Sequence, residues 1–419
     1  MSAENERVII FYLGARKLVT LAGELQNGGV RVLASHAEEL GDGFRGGFVT
    51  QVDKAAKLLS SALERLKKTR EGEFIRDLSV LDAYVVLGNS KLASHTFSSS
   101  VYFPQGKKTL AHTDVRQVVD QTRSVATLPL SEGILQTLPA AFLVDDLDQV
   151  QDPVGLDAER LGVTLKIFTM ESREFKNIEK AFEAAEIEVQ GFFPRTLAVS
   201  EAVLSEQEKQ EGVLLMDVGA DGVYLSLWRG GMIAGTRVLD MGLRRLCQEI
   251  GNTWQISLTD AEKVFERYGS LSAEPQYGDE LIPLVIRESQ EKKQIERQNF
   301  HQQFLKSAKE WVAQILSESD SFIREHGVFH PHYVFAGSGT RLDGFLEFLH
   351  KEFATDARLG VVRSTDAAAE LKTNPGLAAA LGGLQLVAHL ERQKKMYFAP
   401  RGLLEKTFMS AKDWLASYF

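Results

Sequence analysis

The chain has 419 residues, 44% hydrophobic and 25% charged, with 34 glycines and 10 prolines. Such a chain can bury sizeable cores but is too long for one, so about two to four domains are expected. A formal net charge of -9 without a long basic block excludes nucleic acid as a natural partner, and the single cysteine, Cys247, excludes an internal disulfide and any cysteine-rich metal site.

The opening MSAENERVIIFYLG places two glutamates and an asparagine before a short apolar run, which is not the pattern of a signal peptide. Residues 7–13 read as a strand that breaks at Gly14. Residues 18–25 and 30–36 continue a three-stranded meander across the turn Asn27-Gly28-Gly29. After the glycine-rich loop 40–49, Asp53 is placed to cap a helix with Ala56, Leu59, Leu63 and Leu66 at helical spacing. Residues 78–87 read as another strand.

From 91 to about 170 the pattern is a small α+β unit. It has strands at 92–97, 135–144 and 165–170, a helix at 113–125 and an acidic loop at 145–148. Helices follow at 175–185 and 196–204, joined by the loop Gly191-Phe192-Phe193-Pro194. Residues 213–216 are an apolar strand running into Asp217-Val218-Gly219-Ala220-Asp221-Gly222, with further strands at 223–228 and through Val238. Gly219 and Gly222 permit a tight hairpin whose amides can approach a phosphate. An ordinary β-meander with acidic turn residues explains this stretch equally well.

Helices are expected at 243–250 and at 257–268, the second capped by Thr259-Asp260-Ala261-Glu262. A strand pair at 281–286 precedes a long amphipathic helix at 297–326 with Phe300, Phe304, Ala308, Trp311, Ile315 and Phe322 on one side. Strand 333–336 stops at Gly337-Ser338-Gly339-Thr340. Then come helix 342–353, a short strand at Val361-Val362, and an alanine- and leucine-rich helix from Pro375 to about His389. His330 and His332 have no third ligand nearby and are not read as a metal site.

Three glycine turns therefore follow strands, at Leu13-Gly14, at Asp217-Val218-Gly219 and at Ala336-Gly337-Ser338-Gly339. Their distribution over the chain suits a two-lobed clamp on a nucleotide. Gly14 and Gly219 would supply backbone conformation, Asp217 a contact to Mg²⁺ or its water, and Gly337 and Gly339 the nucleoside end.

The tail is a separate signal. Leu404, Phe408, Ala411, Leu415 and Tyr418 fall on one helical face, widened by Leu403, Trp414 and Phe419. The stretch from Glu391 onward carries six basic and three acidic residues on an otherwise acidic chain. That fits an in-plane membrane anchor on an anionic bilayer, against the plainer reading of a last helix docked on the protein's own core.

On several of these motifs the sequence resembles the FtsA family, the actin-like membrane anchors of the bacterial division ring. They are 41–49 with Asp53, 134–155 ending in Asp152-Pro153-Val154-Gly155, Leu258-Thr259-Asp260-Ala261-Glu262-Lys263, Asn374-Pro375-Gly376, and Ala379-Ala380-Leu381-Gly382. The resemblance implies an α/β, actin-like two-lobed ATPase fold with the small α+β domain of the family inserted. The first lobe would comprise 1–88, 171–205 and the closing helix 371–390, with the insert at 89–170. The second would comprise 206–243 and 330–370, with a partner-binding subdomain at 244–329. A linker at 391–400 would lead to the membrane helix at 401–419.

The implied partners are the tubulin-like division protein FtsZ, further copies of the chain in filaments, other division proteins and the bilayer. The implied location is the cytoplasmic side of the plasma membrane at the septum. ATP and Mg²⁺ are the implied cofactors, held by Gly14, Lys17, Asp217, Gly219, Glu262, Gly337, Ser338 and Gly339, with Asp217 on the metal. The match departs from the superfamily at both phosphate loops. Tyr12 stands where an aspartate is normal, the following Leu13-Gly14-Ala15-Arg16-Lys17 lacks a hydroxyl, and Ala220-Asp221-Gly222-Val223 replaces a glycine-threonine-threonine series. Hydrolysis is therefore expected to be weak at most, and nucleotide binding stays open. A pilus-assembly scaffold of the PilM type and a superfamily phosphotransferase are the alternatives.

Overall fold

The computed structural model describes residues 6–398 apart from 27–28, 70–81, 90, 273–276, 290, 329 and 364–376. The amphipathic tail, with Leu403, Leu404, Phe408, Trp414, Leu415 and Phe419, lies outside the described residues, as does the Asn374-Pro375-Gly376 motif.

The first lobe is built on a five-stranded sheet of order β13-β6-β1-β2-β3. The meander β1 (Arg7–Leu13), β2 (Lys17–Gln26) and β3 (Gly29–Glu39) is antiparallel, while β6 (Asp82–Leu87) and β13 (Val189–Pro194) run parallel to β1. Strands β1 and β6 are buried almost throughout and read as continuous apolar runs, as strands covered on both faces must. Gly191-Phe192-Phe193-Pro194, expected to be the connection into the next helix, belongs to the edge strand β13, where Pro194 is tolerated as the last residue. A two-residue hairpin, β4 (Phe44–Arg45) with β5 (Phe48–Val49), precedes helix α1 (Val52–Lys68). The N-cap of α1 is Gln51, and Asp53 sits inside the first turn, where its charge favours the helix dipole without capping it.

Between β6 and helix α3 (Ser172–Ala184) the inserted unit forms its own antiparallel sheet, β10-β9-β12-β7. Its strands are β7 (Ala93–Tyr102), β9 (Glu132–Val144), β10 (Leu147–Val150) and β12 (Arg160–Glu171), with helix α2 (His112–Val125) on one face and a small pair β8 (Lys108–Thr109) and β11 (Asp157–Ala158) beside it. The acidic loop is shorter than expected: Asp145 and Asp146 make the turn, and 147–150 return as β10.

The second lobe has a matching sheet, β16-β15-β14-β19-β20. It comprises β14 (Val213–Val218), β15 (Val223–Arg229), β16 (Met232–Leu239), β19 (His332–Ala336) and β20 (Ala357–Leu359). The short last strand is 357–359, not Val361-Val362. Helices α6 (Leu243–Trp254), α7 (Leu258–Tyr268) and the 29-residue α8 (Arg297–Glu325) cover its far face, with the hairpin β17 (Leu281–Val285) and β18 (Lys292–Glu296) between α7 and α8. Ser257, not Thr259, caps α7, its hydroxyl accepting from the Asp260 amide at 3.1 Å. Helix α9 (Phe345–Phe353) comes after a four-residue 3₁₀ turn.

Helices α4 (Arg195–Val203) and α10 (Ala378–Phe398) pack between the two sheets, and a short α5 (Glu206–Glu211) leads into β14. One apolar core therefore runs from Val8 and Ile10 in the first lobe, through Ala198 and Ala380, to Val213 and Leu215 in the second. The crossing of α4 and α10 depends on Gly382, where a Cβ would lie 1.6 Å from the Ala198 carbonyl oxygen. Helix α10 continues to Phe398, through most of the stretch read as a linker.

Candidate functional site

The cleft between the lobes is floored by the turns after β1, β14 and β19. Asp217 is the last but one residue of β14 and is 1% exposed, so its charge requires a partner. That partner is Arg195, the first residue of α4. Its Nε donates to Asp217 Oδ2 at 2.5 Å and its Nη2 to Oδ1 at 2.6 Å, a bidentate fork. Its Nη1 donates to the Tyr12 hydroxyl at 2.8 Å, and the guanidinium lies over the Tyr224 ring at 4.6 Å from the centroid. Burial works most strongly, against the charged guanidinium, but Asp217, Tyr12 and Tyr224 together outweigh it and carry the pKa above the usual arginine range. Burial also raises the Tyr12 phenol, which Arg195 only partly offsets.

Neighbouring glycines make room for this cluster. A Cβ on Gly88 would meet the Tyr12 ring at 2.9 Å and Arg195 Cδ at 3.1 Å, and one on Gly219 would lie 3.2 Å from Arg195 Nη1. A Cβ on Gly14 would lie 3.1 Å from the Tyr12 hydroxyl. Gly219 thus borders Arg195 and Gly14 borders the Tyr12 hydroxyl that Arg195 holds, although sequence reasoning passed over Arg195.

The loop amides close on themselves. Gly14 N donates to Lys17 O and Gly219 N to Gly222 O, each at 2.9 Å. The first amides of α6 bond back to the second loop, Leu243 N to Gly219 O at 3.0 Å and Arg244 N to Ala220 O at 2.8 Å. Asp221 is paired with Arg244 Nε at 2.8 Å.

At the nucleoside end, Gly337 has φ +86° and a Cβ there would sit 2.3 Å from Asp217 Oδ1, so only glycine fits. Gly339 presses on the Val218 side chain, Thr340 closes the turn by donating to Gly337 O at 2.9 Å, and Ser338 is exposed. Gly337 leads into a 3₁₀ turn of four residues and not into the expected helix start. Glu262 on α7 pairs with Arg16 of the β1–β2 turn at 3.5 Å, across the cleft mouth, and Lys17 is exposed. Among the described residues no group of three or more His, Cys, Asp or Glu could hold a metal ion.

Two family models match this chain: "Cell division protein FtsA" over residues 214–382 and "SHS2 domain inserted in FTSA" over 89–169, together more than half of it. The chain belongs to the FtsA family. The FtsA of Neisseria meningitidis serogroup B is 21% identical over 391 residues, covering 93% of this chain and 92% of that protein. The FtsA of Borreliella burgdorferi is 23% identical over 387 residues, covering 91% and 90%. Among solved structures, a PilM-PilN type IV pilus biogenesis complex superposes with TM-score 0.61 at 16% identity, covering 91% of this chain and 98% of that one. The actin-like α/β fold with the FtsA-type insert is thereby established, the second family model falling on the β7–β12 unit.

FtsA-family architecture carries nucleotide-binding potential, so the site must be tested against Mg²⁺ and a polyphosphate. The residues present do not fit them. Both Asp217 oxygens hold Arg195, Asp221 holds Arg244, and the loops offer no serine or threonine hydroxyl between Leu13 and Lys17 or between Val218 and Val223. Sequence reasoning marked Tyr12 as a departure but missed Arg195, Arg244, Gly88 and Tyr224. One signal was available: a buried aspartate whose usual acidic neighbour has become tyrosine calls for a cation from elsewhere in the chain.

Proposed function

We propose that this chain is a cell-division adaptor that holds the tubulin-like FtsZ polymer at the cytoplasmic face of the plasma membrane, at the septum. The observation that carries the reading is the pair of FtsA-family matches, one on the actin-like body and one on the inserted sheet. The amphipathic stretch 401–419, with its basic approach, supports attachment to an anionic bilayer through Leu403, Leu404, Phe408, Trp414, Leu415 and Phe419. No helix among the described residues is long and apolar enough to cross a membrane.

The subdomain 244–329 is the proposed seat of the FtsZ C-terminal peptide. A groove of about 340 Å³ borders it between α8 and α9, lined by Leu271, Leu305 and Phe348, with a rim of mixed charge in which Lys309 pairs with Glu352 beside Lys306, Lys351 and Glu347. It offers apolar contact and charge to a short peptide. Head-to-tail association through the inserted domain and the second lobe would multiply weak anchors. Glu262, Gly337, Ser338 and Gly339 remain the proposed contacts for a nucleoside, and turnover of ATP is not part of the role.

The test is co-sedimentation of FtsZ polymer with anionic liposomes. Polymer should pellet with lipid only when the full chain is present, and not with a chain ending at residue 398. Lipid recruitment that ignores the tail, or steady phosphate release well above a no-protein control, would remove this reading.

A further inference from the structure

We infer that Arg195 takes the place of the Mg²⁺-bound polyphosphate in this cleft, so that the chain excludes nucleoside polyphosphates and latches its two lobes shut without them. The inference concerns the state of the clamp and holds whichever partner the chain serves.

Charge comes first. In a clamp of this kind a buried carboxylate at the end of the central strand of the second lobe needs a cation. Here the fork from Arg195, in the first lobe, satisfies both oxygens of Asp217 in the second with a covalently tethered cation, and its third nitrogen reaches Tyr12 of its own lobe. A tethered group competes at an effective concentration that a free ligand seldom matches.

Space comes second. Not even a methyl group could be added at Gly88 or Gly219 without crowding Arg195 or Tyr12, so the floor of the cleft is filled. Donors come third. The amides of Gly14, Gly219, Leu243 and Arg244, placed where they could face an anion, already bond to carbonyl oxygens of the same loops.

Direct contacts then bridge the lobes without a ligand. Tyr224 donates from its hydroxyl to Gly88 O at 2.9 Å, Arg16 pairs with Glu262, and Arg195 joins Tyr12 to Asp217. At the outer edge, Lys166 and Ser94 of the inserted domain bond to Ala234 O and the Thr236 hydroxyl on β16.

The test uses the full chain and Mg·ATP as probe, with spin labels on the exposed Lys57→Cys and Asn252→Cys, one on each lobe. The unmodified chain should show no saturable Mg·ATP binding by calorimetry up to millimolar concentration and no rise in unfolding midpoint. The labelled chain should give one narrow inter-lobe distance, the same with and without Mg·ATP. Arg195→Ala should broaden and lengthen that distribution, and Arg195→Lys, which keeps the charge but not the fork, should fall between. Saturable binding with a raised midpoint in the unmodified chain overturns the inference, as does an unchanged distance in Arg195→Ala. Should Arg195→Ala not fold, the Mg·ATP titration of the unmodified chain and the Arg195→Lys distances decide. Liposome recruitment is a separate readout, so failure here leaves the anchoring proposal to its own test.

Discussion

Asp217 and Arg195 form a two-point ion pair, at 2.5 and 2.6 Å, in which both carboxylate oxygens accept from one guanidinium at the floor of the cleft. The pair is buried, with Asp217 1% and Arg195 8% exposed. Removing one member leaves the other charge stranded, which costs about 3–5 kcal/mol, whereas replacing both by apolar groups of similar volume is often neutral. Arg195→Met is therefore expected to destabilise strongly, and Arg195→Met with Asp217→Leu to recover most of the loss. Chemical denaturation of both variants measures this; a double variant no more stable than the single one would show that the pair contributes more than mutual neutralisation.

Lys166 ties the inserted domain to the second lobe. It is 4% exposed, donating from Nζ to the Thr96 hydroxyl at 2.6 Å and to Ala234 O at 2.9 Å. Burial lowers its pKa to about 8, from 10.5. Between those values the unfolded chain keeps a proton that the folded chain has shed, so this group makes stability rise with pH from about 8 to 10.5. Below that window both states are protonated and the burial cost is borne in full. Relative to Lys166→Met, the natural chain should gain stability across the window by roughly 1.4 kcal/mol per unit of pKa difference. A difference independent of pH in paired unfolding curves would mean that the ammonium is solvated in the folded protein.

Gly382 sets how closely α10 approaches α4. A Cβ 1.6 Å from the Ala198 carbonyl oxygen cannot be accommodated by a side-chain rotation, because the obstacle is backbone. Gly382→Ala should force the helices apart and cost roughly 1–3 kcal/mol, even though alanine is the better helix former. Thermal unfolding checks the sign: a stabilised variant would contradict so close a helix crossing.

The tail prediction rests on the sequence. Phe408→Glu with Leu415→Glu places two charges on the apolar face of 401–419. Each large apolar side chain immersed in the bilayer boundary contributes up to about 1.5–3 kcal/mol, and each basic residue near an anionic surface about 1 kcal/mol. The double variant should lose flotation with anionic liposomes while keeping its fold and its affinity for the FtsZ peptide. Undiminished flotation would return the tail to the docked-helix reading.

Much of the fold was legible in the residues. Period-two and continuous apolar runs marked β1, β2, β14, β15 and β19, and helical spacing marked α1, α7 and α8, because these signals arise within one element. The glycine turns at Gly14, Gly219 and Gly337 were visible for the same reason. Strand β13 was not, since Gly191 and Pro194 read as loop and only pairing with β6 makes them strand. The break expected after His389 was not found either, because helix α10 runs on to Phe398.

The sequence by itself determined the family, the inserted unit and the loss of the usual phosphate-loop residues at Tyr12 and at 220–223. The content of the cleft was decided by tertiary structure alone. Arg195 lies 22 residues from Asp217 and 183 from Tyr12, and no local pattern links the three. They meet because α4 is packed between two sheets whose strand ends face each other, and a charge buried there takes whatever partner that packing delivers.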